Sequence, residues 1–212
     1  MAHLVSVNTG RPREVELPGG TVITAIWKTP VEGRVALRRL NLDGDRQADL
    51  QVHGGPYKAV YAYASEHYSY WARELPGFDL PCGAFGENLT TAGLLEDAVH
   101  IGDRFRIGSA VLQVTQPRMP CYKLNIRFDR ADMVKRFWMS GRSGIYFSVV
   151  EEGELGAGDE IERIGRGPEE IAVGDVVRLF KGEETDPEKF RGAMRSPLHG
   201  SWKEEIDARF RG

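Results

Sequence analysis

Ala110-Val111-Leu112-Gln113-Val114-Thr115-Gln116-Pro117-Arg118-Met119-Pro120-Cys121-Tyr122-Lys123 is the stretch from which the rest of this chain is read. Its first half is an alternating apolar run, the pattern of a half-buried strand. Its second half is stiffened, because Pro117 and Pro120 each fix φ and remove an N–H donor. Arg118 and Lys123 flank Cys121 with positive charge. A thiolate is both a nucleophile and a soft metal ligand. Most free cysteines pack as small hydrophobes, and one on a rigid cationic loop just after a strand is as well placed for chemistry as for packing. Cys82, in Leu80-Pro81-Cys82-Gly83-Ala84, has no cation nearby in sequence and reads as packing.

Outward from this stretch, 25 glycines and 11 prolines punctuate short apolar runs, the mark of many short strands. Strands are expected at residues 3–8, 22–27, 34–40, 59–63, 99–101, 104–107, 111–115 and 145–150. Gly102-Asp103 reads as a tight hairpin turn, and Gly158-Asp159 reads similarly. Helices are expected at 65–74, with Ser65 as N-cap, and at 131–140, where Met133, Val134, Phe137 and Trp138 share a face suited to the core. Gly165-Arg166-Gly167-Pro168 marks a boundary. Beyond it come a helical pattern ending at Lys181-Gly182, a helix capped by Asp186 with Pro187 at its first position, and a third from about Ser201 to Phe210. The expected organisation is a β-rich body over 1–165 and a three-helix appendage over 166–212, too small to be stable alone and so packed on the body or on another subunit.

Composition sets the limits. The 212 residues are 41% hydrophobic and 28% charged, as in soluble globular proteins. No run approaches the roughly 18 apolar residues of a membrane helix, and the start of the chain does not read as a signal peptide. Two cysteines 39 positions apart make neither a disulfide framework nor a metal clip, so a reducing, cytoplasmic setting is expected. The formal net charge of −3 does not suggest whole-molecule attraction to nucleic acid. Yet residues 104–142 hold nine Lys or Arg against Asp129 and Asp132, a local net of +7 that leaves −10 for the remainder. Such a segment suits an anionic ligand, since clustered cations focus anions into a cleft; a solvated basic face balanced by acids elsewhere is the alternative.

Three further stretches carry chemistry. His53-Gly54-Gly55-Pro56-Tyr57-Lys58 has two glycines able to turn successive N–H groups toward an anion, bracketed by His53 and Lys58; a hairpin turn with a surface lysine is the alternative. Gly86-Glu87-Asn88 offers a carboxylate and an amide to a ligand, or else caps its own loop. Arg142-Ser143-Gly144 joins a helix end to a strand, with Arg142 set either to fork onto a phosphate or to answer the helix dipole. His67, on the helix that follows the first stretch, gains only weak support as a partner.

Taken in order, His53-Gly54-Gly55 with Lys58-Ala59-Val60-Tyr61, Gly86-Glu87-Asn88-Leu89-Thr90, Ile101-Gly102-Asp103, Gln116 to Leu124, and Gly144-Ile145-Tyr146 resemble the MOSC family, named for the C-terminal domain of molybdenum cofactor sulfurase. The likeness covers nearly the whole chain and is greatest to the YiiM-like bacterial stand-alone subgroup; the helical tail resembles a three-helix extension found there. It implies a mainly β fold with helices, a twisted, mostly antiparallel β-barrel. It also implies a molybdenum cofactor, with Cys121 as the protein's metal ligand, and reduction of N-hydroxylated compounds such as hydroxylaminopurine-type base analogues and amidoximes. On this reading Lys58, Gly54, Gly55, Glu87, Asn88, Arg118, Lys123, Arg142, Ser143 and Gly144 hold the pterin and its phosphate. His53 or His67 supplies protons. An external protein supplies electrons, since no iron–sulfur, flavin or nicotinamide signature occurs. The expected partners are thus a small N-hydroxylated substrate and an electron-donor protein, with no nucleic acid and no membrane. The chain is expected to act as a monomer or homodimer, with no pyridoxal phosphate. The alternative is a cofactor carrier or sulfur-transfer module using a Cys121 persulfide.

Overall fold

Every residue of strand β9 (Ala110–Pro117) except Gln113 is buried, so the half-buried strand expected here is instead covered on both faces. The structure is a computed structural model that describes residues 1–48 and 54–211. β9 lies in an eight-stranded sheet built from β1 (His3–Thr9), β4 (Thr29–Pro30), β6 (Val60–Ala64), β7 (Leu89–Ala92), β8 (Arg104–Ile107), β9, β10 (Ile145–Glu151) and β12 (Ile161–Gly165). Their order is β12-β8-β9-β10-β6-β7-β1-β4, and every neighbouring pair is antiparallel except β6 and β7. That parallel pair needs a crossover, which carries helix α1 (Tyr68–Glu74). Two small ribbons complete the β structure, β2 (Arg13–Leu17) with β3 (Gly20–Thr24) and β5 (Arg34–Leu37) with β11 (Gly153–Gly156).

The sheet is rich in antiparallel pairs, as expected, but it is not a closed barrel. The approach to β12 touches β1 at one isolated bridge, His3 to Glu160, supported by Leu4 N–H to Asp159 O at 2.8 Å and Ile161 N–H to Ala2 O at 2.9 Å. A continuous ladder does not form because the edge of β1 is shared. Asn8 and Thr9 pair with β4, whose Pro30 has no N–H to donate, and only Glu160, the residue before β12, bridges His3.

Several local expectations are corrected as well. Residues 99–101 form a turn with a single bridge, His100 to Ala172, so Gly102-Asp103 closes no hairpin. Gly158-Asp159 links β11 to β12, which belong to different sheets. The helix expected over 65–74 begins as a 3-10 turn, Ser65–His67, and Ser65 does not cap it. The helix expected from 131 begins at Met133 (α3, Met133–Ser140), after the short α2 (Lys123–Arg127).

Two apolar cores result. One is aromatic and joins Tyr61, Tyr63, Trp71, Phe85, Phe128 and Phe137 beneath α1, α2 and α3. Trp71 and Phe137 stack at 5.9 Å with planes 8° apart, and Trp71 Nε1 donates to Tyr63 OH at 2.6 Å. The other core runs through the sheet and into the tail. The three tail helices are α4 (Val173–Lys181), α5 (Pro187–Arg195) and α6 (Gly200–Arg211). α4 packs on β9, and Val176, Leu179, Trp202 and Ile206 join the same cluster as Leu112 and Phe147. Asp186 caps α5 as expected, accepting from Glu188 N–H at 2.9 Å. No described helix is long and apolar enough to cross a membrane.

Candidate functional site

The end of β9, the first residue of α2, the 3-10 turn Pro56–Lys58 and the approach to β7 converge on one cleft with a cavity volume of about 80 Å³. Tyr61 of β6 and Tyr146 of β10, opposite each other in register, line it together with Cys121, Arg118, Lys123, Lys58, Asn88, Lys28 and Asp45. Each is delivered by a local cause. Pro117 ends β9, so Arg118 and Cys121 leave the sheet. Gly55, at φ 88°, begins the turn that carries Lys58 inward. Gly86, at φ 81°, passes so close to Ile26 that a Cβ there would lie 3.1 Å from its side chain.

Charge in the cleft is one-sided. Among the described lining residues, Lys28, Lys58, Arg118 and Lys123 face the single carboxylate of Asp45. Lys28 pairs with Asp45, whose carboxylate also accepts from Gly10 N–H at 2.7 Å and Asn88 Nδ2 at 3.0 Å. Arg118 is buried, donates to Phe85 O and lies 4.6 Å over the Tyr61 ring, with no carboxylate partner among the described residues. Lys123 is 8% exposed and makes no hydrogen bond or ion pair among the described residues.

Burial lowers the pKa of Lys58, with the Cys121 sulfur pulling in the opposite direction. Burial also lowers that of Lys28 against the opposing pull of Asp45. Arg118 is held above the usual arginine range: burial opposes its charge, but Tyr61, Tyr146 and Cys121 outweigh that. Burial raises both phenols, Tyr61 and Tyr146. A half-buried thiol ringed by cations and neutral phenols suits an anionic group that brings most of its own metal ligands. No set of three His, Cys, Asp or Glu among the described residues is arranged to hold a metal ion.

Not every residue expected at the site reaches it. His53 lies outside the described residues. His67 is buried elsewhere, bonded through Nε2 to Glu96 at 2.8 Å. Glu96 in turn accepts from Gly144 N–H at 2.7 Å, so His67 braces a loop instead of facing the cleft. Glu87 is fully buried and accepts from Gly83 N–H, Phe85 N–H, Thr90 Oγ1 and Tyr68 OH. With its lone pairs taken, it organises the 83–86 loop, and burial raises its pKa. Asn88 lines the cleft, but its amide bonds Asp45 and its Oδ1 accepts from Tyr61 N–H at 3.3 Å. Arg142 stacks 3.8 Å from the Tyr70 ring centroid and donates to Ser140 O at 3.0 Å, answering the end of α3. Ser143 and Gly144 turn toward Tyr61 from behind, where Ser143 O accepts from Tyr61 OH at 2.8 Å. Gly54 and Gly55 set the chain path and do not line the cleft.

Lys28 was missed as a cleft residue because no local pattern marks it; Tyr61 and Tyr146 end two of the stretches that resemble the family, but nothing local in those stretches gave them a role. Asp45 stood within Asp43-Gly44-Asp45, whose spacing gave no role.

The family model of the MOSC domain matches residues 49–162, more than half of the chain. The chain belongs to the MOSC domain family. It is 45% identical to Protein YiiM of Escherichia coli (strain K12), over 99% of this chain and 93% of that protein. The crystal structure of YiiM from Geobacillus stearothermophilus superposes with a TM-score of 0.80 at 33% identity, covering 99% of this chain and 100% of that one. A Gibberella moniliformis protein named Reductase is 36% identical over 84% of this chain, which spans 32% of that longer protein. The MOSC match spans Lys58, Asn88, Arg118, Cys121, Lys123 and Tyr146, whereas Lys28 and Asp45 come from the segment preceding it.

Proposed function

We propose that this protein binds a molybdenum cofactor and reduces N-hydroxylated compounds, such as hydroxylaminopurine-type base analogues and amidoximes. The observation that carries the reading is the convergence of Cys121 with Lys58, Arg118 and Lys123 on one cleft. MOSC membership and the reductase name of one relative support it. The donor set fits the group: one soft thiol for a metal, and cations for a pterin phosphate.

Cys121 would ligate the metal, and Lys123, Arg118 and Lys58 would hold the anionic pterin. Asp45 and Asn88 fix the floor, with Asn88 acting through Asp45 and Tyr61. When bound, the cofactor supplies the two-electron redox centre. Reduction of an N-hydroxyl group consumes two electrons and two protons and yields the amine and water. An external protein donates the electrons. Lys58, whose ammonium burial makes more acidic, is the cleft residue suited to hand a proton to the departing oxygen. The Tyr61 and Tyr146 rings make one wall apolar enough to take a flat substrate. The protein is read as cytoplasmic, acting as a monomer or homodimer.

The test is the metal and pterin content of protein from a molybdenum-replete, cofactor-competent host. Near-stoichiometric molybdenum and pterin are expected for the wild type, with molybdenum lost from Cys121→Ser while the fold is kept. Wild-type protein free of both, with a sulfur adduct on Cys121 by intact mass, would instead identify a sulfur carrier.

A further inference from the structure

Glu96 joins three parts of the molecule that lie far apart in the chain. Its side chain is buried, and the carboxylate accepts from Gly144 N–H through Oε1 at 2.7 Å and from His67 Nε2 through Oε2 at 2.8 Å. Its backbone oxygen accepts from Gly174 N–H at 3.0 Å, in the first turn of α4. The adjacent Asp97 accepts from Arg178 of the same helix at 2.9 Å. The tail therefore holds the segment that carries the carboxylate, and His67 fixes the direction of that carboxylate.

Gly144 N–H belongs to the same peptide unit as Ser143 C=O, which accepts from Tyr61 OH at 2.8 Å. In a trans peptide the two groups point opposite ways, so one peptide plane stands between the Glu96 carboxylate and the Tyr61 phenol. A carboxylate on the N–H side polarises the peptide and makes its oxygen a stronger acceptor. The fit is close, since a Cβ on Gly144 would lie 2.6 Å from Tyr61 OH. A phenol has one proton to give. Here it goes to Ser143, which does not line the cleft, whereas Tyr61 does and carries the Arg118 guanidinium 4.6 Å from its ring centroid. We infer that Glu96 is a positioning residue of the cleft: acting through the 143–144 peptide, it locks the Tyr61 hydroxyl as a donor turned out of the cleft, so that Tyr61 serves as the platform for Arg118 and not as a proton source. This role rests on the cleft being the site of the chemistry proposed above, where it leaves proton delivery to Lys58.

Cofactor-free protein is labelled with carbon-13 at the ring carbon that bears the tyrosine hydroxyl, and spectra are recorded in equal parts of light and heavy water. A slowly exchanging hydroxyl gives that carbon a separate resonance for each isotope. Tyr61→Phe assigns the Tyr61 signal. The wild type is expected to show a resolved pair for Tyr61, and a single averaged line would overturn the proposal whether or not any variant folds. Glu96→Leu is expected to speed hydroxyl exchange at Tyr61 by at least about tenfold, the factor for one weakened buried hydrogen bond. Glu96→Gln keeps an oxygen for Gly144 N–H and is expected to stay close to the wild type. The hydroxyl of Tyr68, bonded to Glu87 in a separate network, is the control, and the melting temperature of each variant is checked. A merely structural role would speed exchange at Tyr61 and Tyr68 together. Equal acceleration at both, or unchanged exchange at Tyr61 in folded Glu96→Leu protein, sinks the positioning role. No cofactor or turnover enters these measurements, so their outcome is separate from that of the molybdenum and pterin analysis.

Discussion

Asp45→Asn tests the cleft floor most directly. Asp45 is 3% exposed and is the carboxylate for Lys28, whose side chain is 7% exposed. The substitution removes the charge but keeps the shape, so an ammonium is left buried beside Arg118 without its counter-ion. It also puts a donor opposite Asn88 Nδ2, which now donates to Asp45 Oδ2. Removing one partner of a buried pair costs about 3–5 kcal/mol, because the remaining charge is uncompensated. Since Lys28 lines a cleft that water can enter, the lower end, about 3 kcal/mol, is expected. With a urea dependence of about 2–3 kcal/mol per molar, the unfolding midpoint should fall by roughly 1 M or more. Lys28→Met combined with Asp45→Asn removes the orphaned charge, so the double variant should recover at least about 1.5 kcal/mol relative to the sum of the single changes. Urea unfolding followed by circular dichroism measures all three variants. A midpoint for Asp45→Asn within about 0.3 M of the wild type, or strict additivity in the double variant, would refute the reasoning.

Tyr61, Tyr63, Tyr68 and Tyr146 all have phenols raised by burial, so above pH 10 the unfolded chain sheds protons that the fold retains. Stability should fall there by up to about 1.4 kcal/mol per pH unit for each phenol, and tyrosinate absorbance of folded protein at pH 11 should account for at most three of the seven tyrosines. Gly144→Ala places a Cβ 2.6 Å from Ala62 O at φ +67°, and a loss of at least about 2 kcal/mol is expected by thermal or urea unfolding, with retention of wild-type stability the contrary result. Trp202→Ala opens a hole in the core that the tail shares with the sheet and should destabilise the whole chain by about 3–5 kcal/mol in one transition seen alike by far-UV and near-UV dichroism; separate melting of the tail would overturn the shared core.

Much of the fold was legible. β1, β6, β8, β9 and β10 fall where short apolar runs between glycines and prolines put them, because local pattern and tertiary burial agree there. The tail helices were readable from their ends: Asp186 before Pro187, and Gly182 at φ 73° after Lys181. The 2–3 ribbon was not read as a hairpin. Val15 and Leu17 alternate with Glu14 and Glu16, but the run is short and mostly exposed, and the strand expected over 22–27 sits two residues earlier, at Gly20–Thr24, as the partner of β2. Residues 99–101 looked like a strand because Val99 and Ile101 are apolar; they are buried in a turn instead, held by Asp103 accepting from His100 N–H at 3.1 Å.

The site divides in the same way. Cys121, Arg118, Lys123 and Lys58 could be named from the chain because prolines, glycines and flanking charge act within a few residues of them. That cleft residues had company from residues 24–28 and from Asp45 depended on long-range packing, which no local spacing encodes. Glu87 and His67 have the residue types of a reactive site, yet their hydrogen bonds are consumed by Gly83, Phe85, Thr90 and Glu96, a matter of register and distance.

The sequence by itself determined a strand-rich body with a three-helix tail and a thiol on a stiff cationic loop, because backbone restriction, hydrophobic period and charge are local properties. Only the tertiary structure decided that the sheet stays open, which cations converge on Cys121, and which polar groups are already satisfied. Those outcomes are set by which edges pair and which side chains meet across the sheet, and residues far apart in the chain settle both.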